Sequence, residues 1–302
     1  MEYSMRFRHI LFLLFVTMPV FGSPPIKVVT STSDLAEFAK IIGGTKVEVS
    51  AIVKGPQNPH YIDVKPSYMM KLRSADLFLI VGMRLEIWAQ QLIDGSRNPN
   101  LLVVDCSRTV AKLEVPSGRI DASEGDVHPL GNPHYWLDPS NVRLMLEEIV
   151  AALAHVAPSD ESWFRQNMTN YLAQLDVRMA DWKRRLTPFQ GTPLVTYHSS
   201  FSYLMNRFGL VVAGHVEPKP GIPPTPSHTA ALVKMIRDQK IGVIGVEQFF
   251  EESVPTRIAE TTGAHVVRLC TSVGGREGAD TYLDLIEYNV AALSAALGGK
   301  RS

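Results

Sequence analysis

Glu161–Leu186, reading ESWFRQNMTNYLAQLDVRMADWKRRL, is the stretch that decides the fold. Its apolar residues Phe164, Met168, Tyr171, Leu172, Leu175, Val177 and Met179 keep helical spacing over most of its length. A break at Pro158-Ser159-Asp160 precedes it. At 1.5 Å per residue the predicted helix is about 38 Å long, enough to traverse two lobes. The sequence on both sides of it has another character, with short β-rich or wholly apolar runs alternating with helical segments.

Upstream, Ile26-Lys27-Val28-Val29-Thr30 predicts a strand, and Leu35 to Ile42 a helix between the caps Ser31 to Asp34 and the stop Gly43-Gly44. Val47 to Val53, Leu77 to Val81 and Leu101 to Asp105 read as further strands. The continuous apolar run Leu77-Phe78-Leu79-Ile80-Val81 is of the kind buried parallel strands show. Helices are predicted at Pro66 to Ser74, Leu85 to Leu92 and from Pro139 onward. Downstream the pattern restarts after Gly191-Thr192-Pro193. Strands are predicted at Leu194 to Tyr197, Leu210 to Val216, Ile241 to Val246 and Val266 to Cys270, and helices at Ser199 to Phe208, Ser227 to Gln239, Val254 to Thr262 and Asp280 to Leu297. The expected fold class is therefore α/β, with two lobes of mostly parallel sheet (23–158 and 189–302) joined by one long rigid helix (159–188).

The totals narrow the function classes. The chain has 302 residues, of which 20% are charged, and a formal net charge of zero, so neither a nucleic-acid footprint nor a basic membrane-binding face has support. No internal apolar run reaches the roughly 18 residues of a membrane span. At the N-terminus Arg6 and Arg8 precede an apolar run from Ile10 to Phe21, the layout of a cleaved signal peptide over residues 1–22. No cysteine stands in that cleavage region, so no lipid anchor is expected there. Cys106 and Cys270 are the only cysteines, and each ends an apolar run, which favours buried free thiols over a disulfide.

Histidine placement carries the chemistry. The tetrapeptide Asn-Pro-His-Tyr occurs at Asn58 to Tyr61 and again at Asn132 to Tyr135, each copy followed by Asp and then Pro-Ser. A rigid proline before each histidine aims His60 and His134 from two separate loops. His198 directly follows a predicted strand, and ligands of open α/β sheets collect at the carboxyl ends of strands. Three neutral imidazoles suit Zn(II), with a fourth tetrahedral position left over. The plainer alternative makes His60 and His134 turn residues and His198 a helix cap. Neutral imidazoles also imply an affinity that falls as pH drops through about 6.5.

Asn132-Pro133-His134-Tyr135-Trp136-Leu137-Asp138-Pro139, the first Asn-Pro-His-Tyr, Tyr197-His198-Ser199-Ser200-Phe201 and Gly278-Ala279-Asp280-Thr281-Tyr282 together resemble one family. It is the zinc- and manganese-specific solute-binding receptors of ABC importers, above all the high-affinity zinc-uptake type. The resemblance spans essentially the whole chain after residue 22. It implies an exported, periplasmic, monomeric receptor that holds its metal between the lobes and delivers it to an ABC permease. It implies His60 and His134 as ligands from the first lobe and His198 from the second, a histidine there favouring Zn(II) over Mn(II). The family often has an aspartate before a serine in the loop to the last helix, where this chain reads Leu269-Cys270-Thr271-Ser272. Glu247, Cys270 or a water then remains for the fourth position, with Glu247 alternatively holding a histidine N–H.

Four further expectations belong to this reading. His128, alone in the polar loop Pro116 to Pro129, is expected in solvent, and Tyr61, Tyr135 and Trp136 are expected to wall the site. The segment Glu217 to Pro224 cannot be helix and is expected to brace the cleft or to dock on the permease. His155, His215, His228 and His265 are expected at the surface or in the core. An alternative function is a tri-histidine zinc hydrolase, and a third reading is an interaction protein with structural metal. Against an enzyme, no His-Glu-x-x-His pair and no Gly-x-Ser-x-Gly elbow is present.

Overall fold

The computed structural model describes residues 24–118 and 128–299. The predicted signal segment and most of the Pro116 to Pro129 loop lie outside the described residues. The first lobe is built from strands β1 (Ile26–Thr30), β2 (Val47–Ala51), β3 (Leu77–Ile80) and β4 (Leu102–Asp105), with helices α1 (Ser33–Gly43), α2 (Pro66–Arg73), α3 (Ala89–Ser96) and α4 (Val142–Val156). Helix α5 (Glu161–Leu186) follows. The second lobe has β5 (Pro193–Thr196), β6 (Val211–His215), β7 (Val243–Glu247) and β8 (His265–Leu269), with α6 (Ser202–Phe208), α7 (Pro226–Asp238), α8 (Ser253–Thr262) and α9 (Tyr282–Gly298).

Both sheets are entirely parallel, in the orders β2-β1-β3-β4 and β6-β5-β7-β8. In each, the first strand sits inside and the chain reverses direction of travel beside it. That leaves a crevice at the carboxyl ends, between β1 and β3 in one lobe and between β5 and β7 in the other.

Local chemistry sets the helix ends. Thr32 caps α1 by accepting from the Leu35 N–H, Thr225 caps α7 ahead of Pro226, and Thr281 caps α9 by accepting from Asp284 N–H. The carbonyls left over at the C-terminus of α1 are taken by α5, where Asn167 Nδ2 donates to Ile42 O at 2.9 Å and Trp163 Nε1 to Gly43 O at 3.3 Å. At the far end of α5, Trp182 Nε1 and Arg185 both donate to Glu287 of α9. One helix thus grips both lobes through polar ends and an apolar middle.

One element departs from its sequence pattern. Leu85 to Leu92 was expected as helix, but α3 starts only at Ala89. Gly82, Met83 and Arg84 all have positive φ, and the Glu86 carboxylate accepts from Val81 N–H and Gly82 N–H at 2.7 and 3.0 Å. Those bonds close a turn where the apolar residues promised helix. Gly82 is obligatory, because a Cβ there would lie 2.0 Å from Asp105 Oδ1.

Each lobe has a separate apolar layer on one sheet face, around Phe78 and Leu92 in the first and around Ile244 and Ile258 in the second. The opposite faces share a single core that runs without a break through α1, α4, α5 and α9. Phe38, Tyr171 and Tyr282 meet there, with the Phe38 and Tyr282 rings 4.9 Å apart. The lobes are therefore fused along one side and face each other across the carboxyl ends of their strands. Cys106 and Cys270 are both buried and free, as expected.

Candidate metal centre

The repeated Asn-Pro-His has one local cause. Asn58 Oδ1 accepts the His60 N–H at 3.0 Å, and Asn132 Oδ1 accepts the His134 N–H at 2.9 Å. In both copies the asparagine mimics a backbone turn two residues ahead of itself. The first loop is held by Trp88 Nε1 donating to Pro59 O, and the second by Tyr135 OH donating to Val81 O. Asn132 Nδ2 donates to Ser199 O in the other lobe at 2.7 Å. His198 is fixed through its carbonyl, which accepts from Thr196 Oγ1.

These supports bring three imidazoles to one point. His60, His134 and His198 are all buried, and a nitrogen from each lies within 4.8 Å of the others. Among the described residues no other set of three histidine, cysteine or acidic side chains does this. His60 Nε2 and His134 Nε2 are 3.0 Å apart, close to the roughly 3.3 Å between two ligands of a tetrahedral Zn(II) with 2.0–2.1 Å bonds.

In His134 and His198 the other ring nitrogen is committed. His134 Nδ1–H donates to Asn132 Oδ1 at 2.8 Å, an orientation set by the two bonds the asparagine amide donates elsewhere. His198 Nδ1–H donates to Glu217 Oε2 at 2.9 Å. Each ring thus turns an Nε2 lone pair inward, and His198 Nε2 is buried with no hydrogen-bond partner. Burial, reinforced by the neighbouring charges of His60, His198 and His128, holds the His134 pKa well below the ordinary imidazole range. It stays a neutral donor to lower pH than a free histidine.

Glu247 ends β7 with no exposed surface and lies outside that triangle of nitrogens. Neither carboxylate oxygen has a hydrogen-bond partner, and the Ser200 hydroxyl pulls on it without reaching bonding geometry. Burial pushes its pKa up to about 7, against the opposing pull of His198. A buried carboxyl of this kind is a strong attractor for a nearby cation. Cys270 points elsewhere, since its Sγ donates to Ser272 O at 3.3 Å and burial raises the thiol to about 11.

Sequence reasoning missed Glu217, which does for His198 what Glu247 was offered to do. The signal was in the strand register. Thr196 pairs with His215, so His198 and Glu217 each stand two residues beyond that pair and emerge side by side. The Glu217 to Pro224 segment was read as a brace, and it does close a tight turn that returns Gly221 N–H to Glu217 Oε2 at 3.4 Å.

One expectation needs correction. His128 is 8% exposed, with its ring 5.1 Å from that of His60, and does not stand in solvent. Tyr61, though 54% exposed, lines one small cavity together with His60, His198 and Glu217. Tyr135 and Trp136 are buried as expected, and Trp136 Nε1 reaches across the lobes to Thr271 O.

Known proteins resemble this chain over almost all of its described length. A profile of the family described as ZnuA, zinc-uptake complex component A, periplasmic, matches residues 28–296. The iron-binding protein YfeA of Yersinia pestis is 28% identical over 281 residues, covering 90% of this chain and 86% of its own. The manganese ABC transporter substrate-binding lipoprotein PsaA of Streptococcus anginosus is 25% identical over 285 residues, covering 90% and 89%. A zinc-bound ZnuA deletion mutant shares the fold with a TM-score of 0.79 at 23% identity, over 91% of this chain and 99% of that one.

Proposed function

We propose, on the premise that this chain belongs to the zinc-uptake complex component A family, that it captures Zn(II) outside the cytoplasm and delivers it to an ABC permease. The family and its relatives are metal-binding solute receptors, named for iron and manganese as well as zinc. They are transport components and not enzymes. The choice of zinc, the ligand set and the partner are this reading's own.

The observation that carries it is the convergence of three buried imidazole nitrogens from both lobes within 4.8 Å. His60, His134 and His198 would hold the ion, each through Nε2. Glu247, buried and unpaired beside His198, would offset the dication's charge or take a coordination position. An all-nitrogen primary set favours zinc, because Mn(II) prefers carboxylate and carbonyl oxygens. No helix of the described residues is long and apolar enough to cross a membrane. In this reading the receptor is a periplasmic monomer, cleaved after residue 22.

The test is competition titration of the purified protein with Zn(II), Mn(II) and Fe(II). Zinc should bind at least roughly a hundredfold more tightly than manganese, given the softer donors. His134→Ala and His198→Ala should each lose most of that affinity. Manganese binding equal to zinc would overturn the assignment of cargo. Unchanged affinity in both variants would remove the site.

A further inference from the structure

We propose that His128 is a fourth imidazole of the metal site, closing an all-histidine tetrahedron around the bound ion. The proposal rests on the receptor reading above and extends it. A histidine in a polar loop has no reason of its own to leave water. Yet His128 is buried, and its ring lies 5.1 Å from that of His60, the same separation as His60 from His134. His60 thus has two imidazoles at equal distance.

The placement of His128 is built. Its carbonyl accepts the Gly131 N–H at 3.1 Å, and Asn132 N–H donates to Leu113 O at 2.9 Å. Gly131 takes a φ of +105°, with Leu113 O only 2.8 Å from where a Cβ would be. Pro129 stiffens the first half of the turn. The turn that delivers His134 therefore also fixes the backbone of His128, six residues earlier.

Zinc bound by three histidines has one position left. Cys270 is committed to Ser272 O, and Glu247 sits on the His198 side. His128 packs against His60 and is not itself part of the triangle of nitrogens. Coordination by His128 then requires a rotation about its side-chain torsions that brings a ring nitrogen to the fourth position. Four imidazoles make the site harder still against manganese, so His128 becomes a determinant of selectivity.

Zinc K-edge absorption on the loaded full-length protein counts the imidazoles. The expected result is four for the native chain and three for His128→Ala and for His128→Gln, each with an unchanged apo melting temperature. Zinc affinity should fall on the order of tenfold to a hundredfold in both, the scale on which supporting groups act at metal sites, while manganese affinity stays level. Three imidazoles in native and variant alike would overturn the proposal while leaving the three-histidine receptor intact. If His134→Ala and His198→Ala also kept native affinity, the receptor reading would fall and this proposal with it.

Discussion

Asn58 and Asn132 perform the same task in two loops, and that is why the histidines were legible. A repeated tetrapeptide exposes a repeated turn, and the turn aims the ring. Glu217 was hidden because nothing near it in the chain marks a partner for His198; only the β5–β6 register does. Its contribution is testable. Glu217→Gln keeps a hydrogen-bond acceptor for His198 Nδ1 but removes the charge, and zinc affinity should fall by about tenfold to a hundredfold. Glu217→Ala should lose at least as much. Native affinity in both would reduce the Glu217 contact to packing. His128 was misread for a related reason: loop composition reports average polarity, and burial is decided by what the loop folds against.

Among the elements, α1 was read almost to the residue, because cap, apolar face and glycine stop all agree. Its second role was not readable. Asp34 Oδ1 accepts the Val273 N–H at 2.9 Å, and Glu37 Oε2 accepts the Tyr282 N–H at 2.6 Å, so two carboxyls of one lobe hold backbone of the other. Burial raises Asp34 to about 7. Burial, with the nearby charges of Asp34 and Asp284, raises Glu37 to about 8, against the Tyr282 N–H and Lys40.

The sign of the linkage follows. Between the unfolded values near 4 and these folded values the native state holds more protons than the unfolded chain, so stability falls as pH rises through that window. The melting temperature should decline from about pH 4.5 to 8, and Glu37→Gln should flatten the decline by about 1–2 kcal/mol, a few degrees. A variant whose pH profile parallels the native one would refute the role of Glu37. The start of α3 was misplaced for the converse reason. Periodicity saw the apolar residues from Leu85 but could not see Glu86 folding back on Val81 and Gly82.

For the whole molecule, two lobes and a long helix were plain in the sequence, since alternating strands and helices resume after Leu186. That the lobes fuse on one face was not, because periodicity identifies an apolar face without naming what covers it. The contact is close. Gly55 of the first lobe would, with a Cβ, lie 2.3 Å from Val273 O and from Gly274 C of the second, and its carbonyl accepts Gln248 Nε2. Trp136 and Tyr282 also bond across the seam. Little hinge motion is compatible with this. Small-angle scattering should therefore give the same radius of gyration with and without zinc, within about 1 Å for a chain of this size. Gly55→Ala should wedge the seam, costing about 1–3 kcal/mol as overpacking does. A change of several ångströms on zinc binding would argue for a hinge.

The shared core also has a consequence for how the chain comes to be folded. Phe38 of the first helix finds its partner in Tyr282, at the start of the last. The first lobe has every strand it needs by residue 105, yet the core it shares with α4 and α5 is closed only when α9 arrives. Such a topology defers completion to the end of synthesis, because non-local contacts must be bought with loop closure before they stabilise anything. A chain stopped at residue 281 should remain open to protease along α1 and α4, and the full chain should melt in one transition, its two halves rising and falling together.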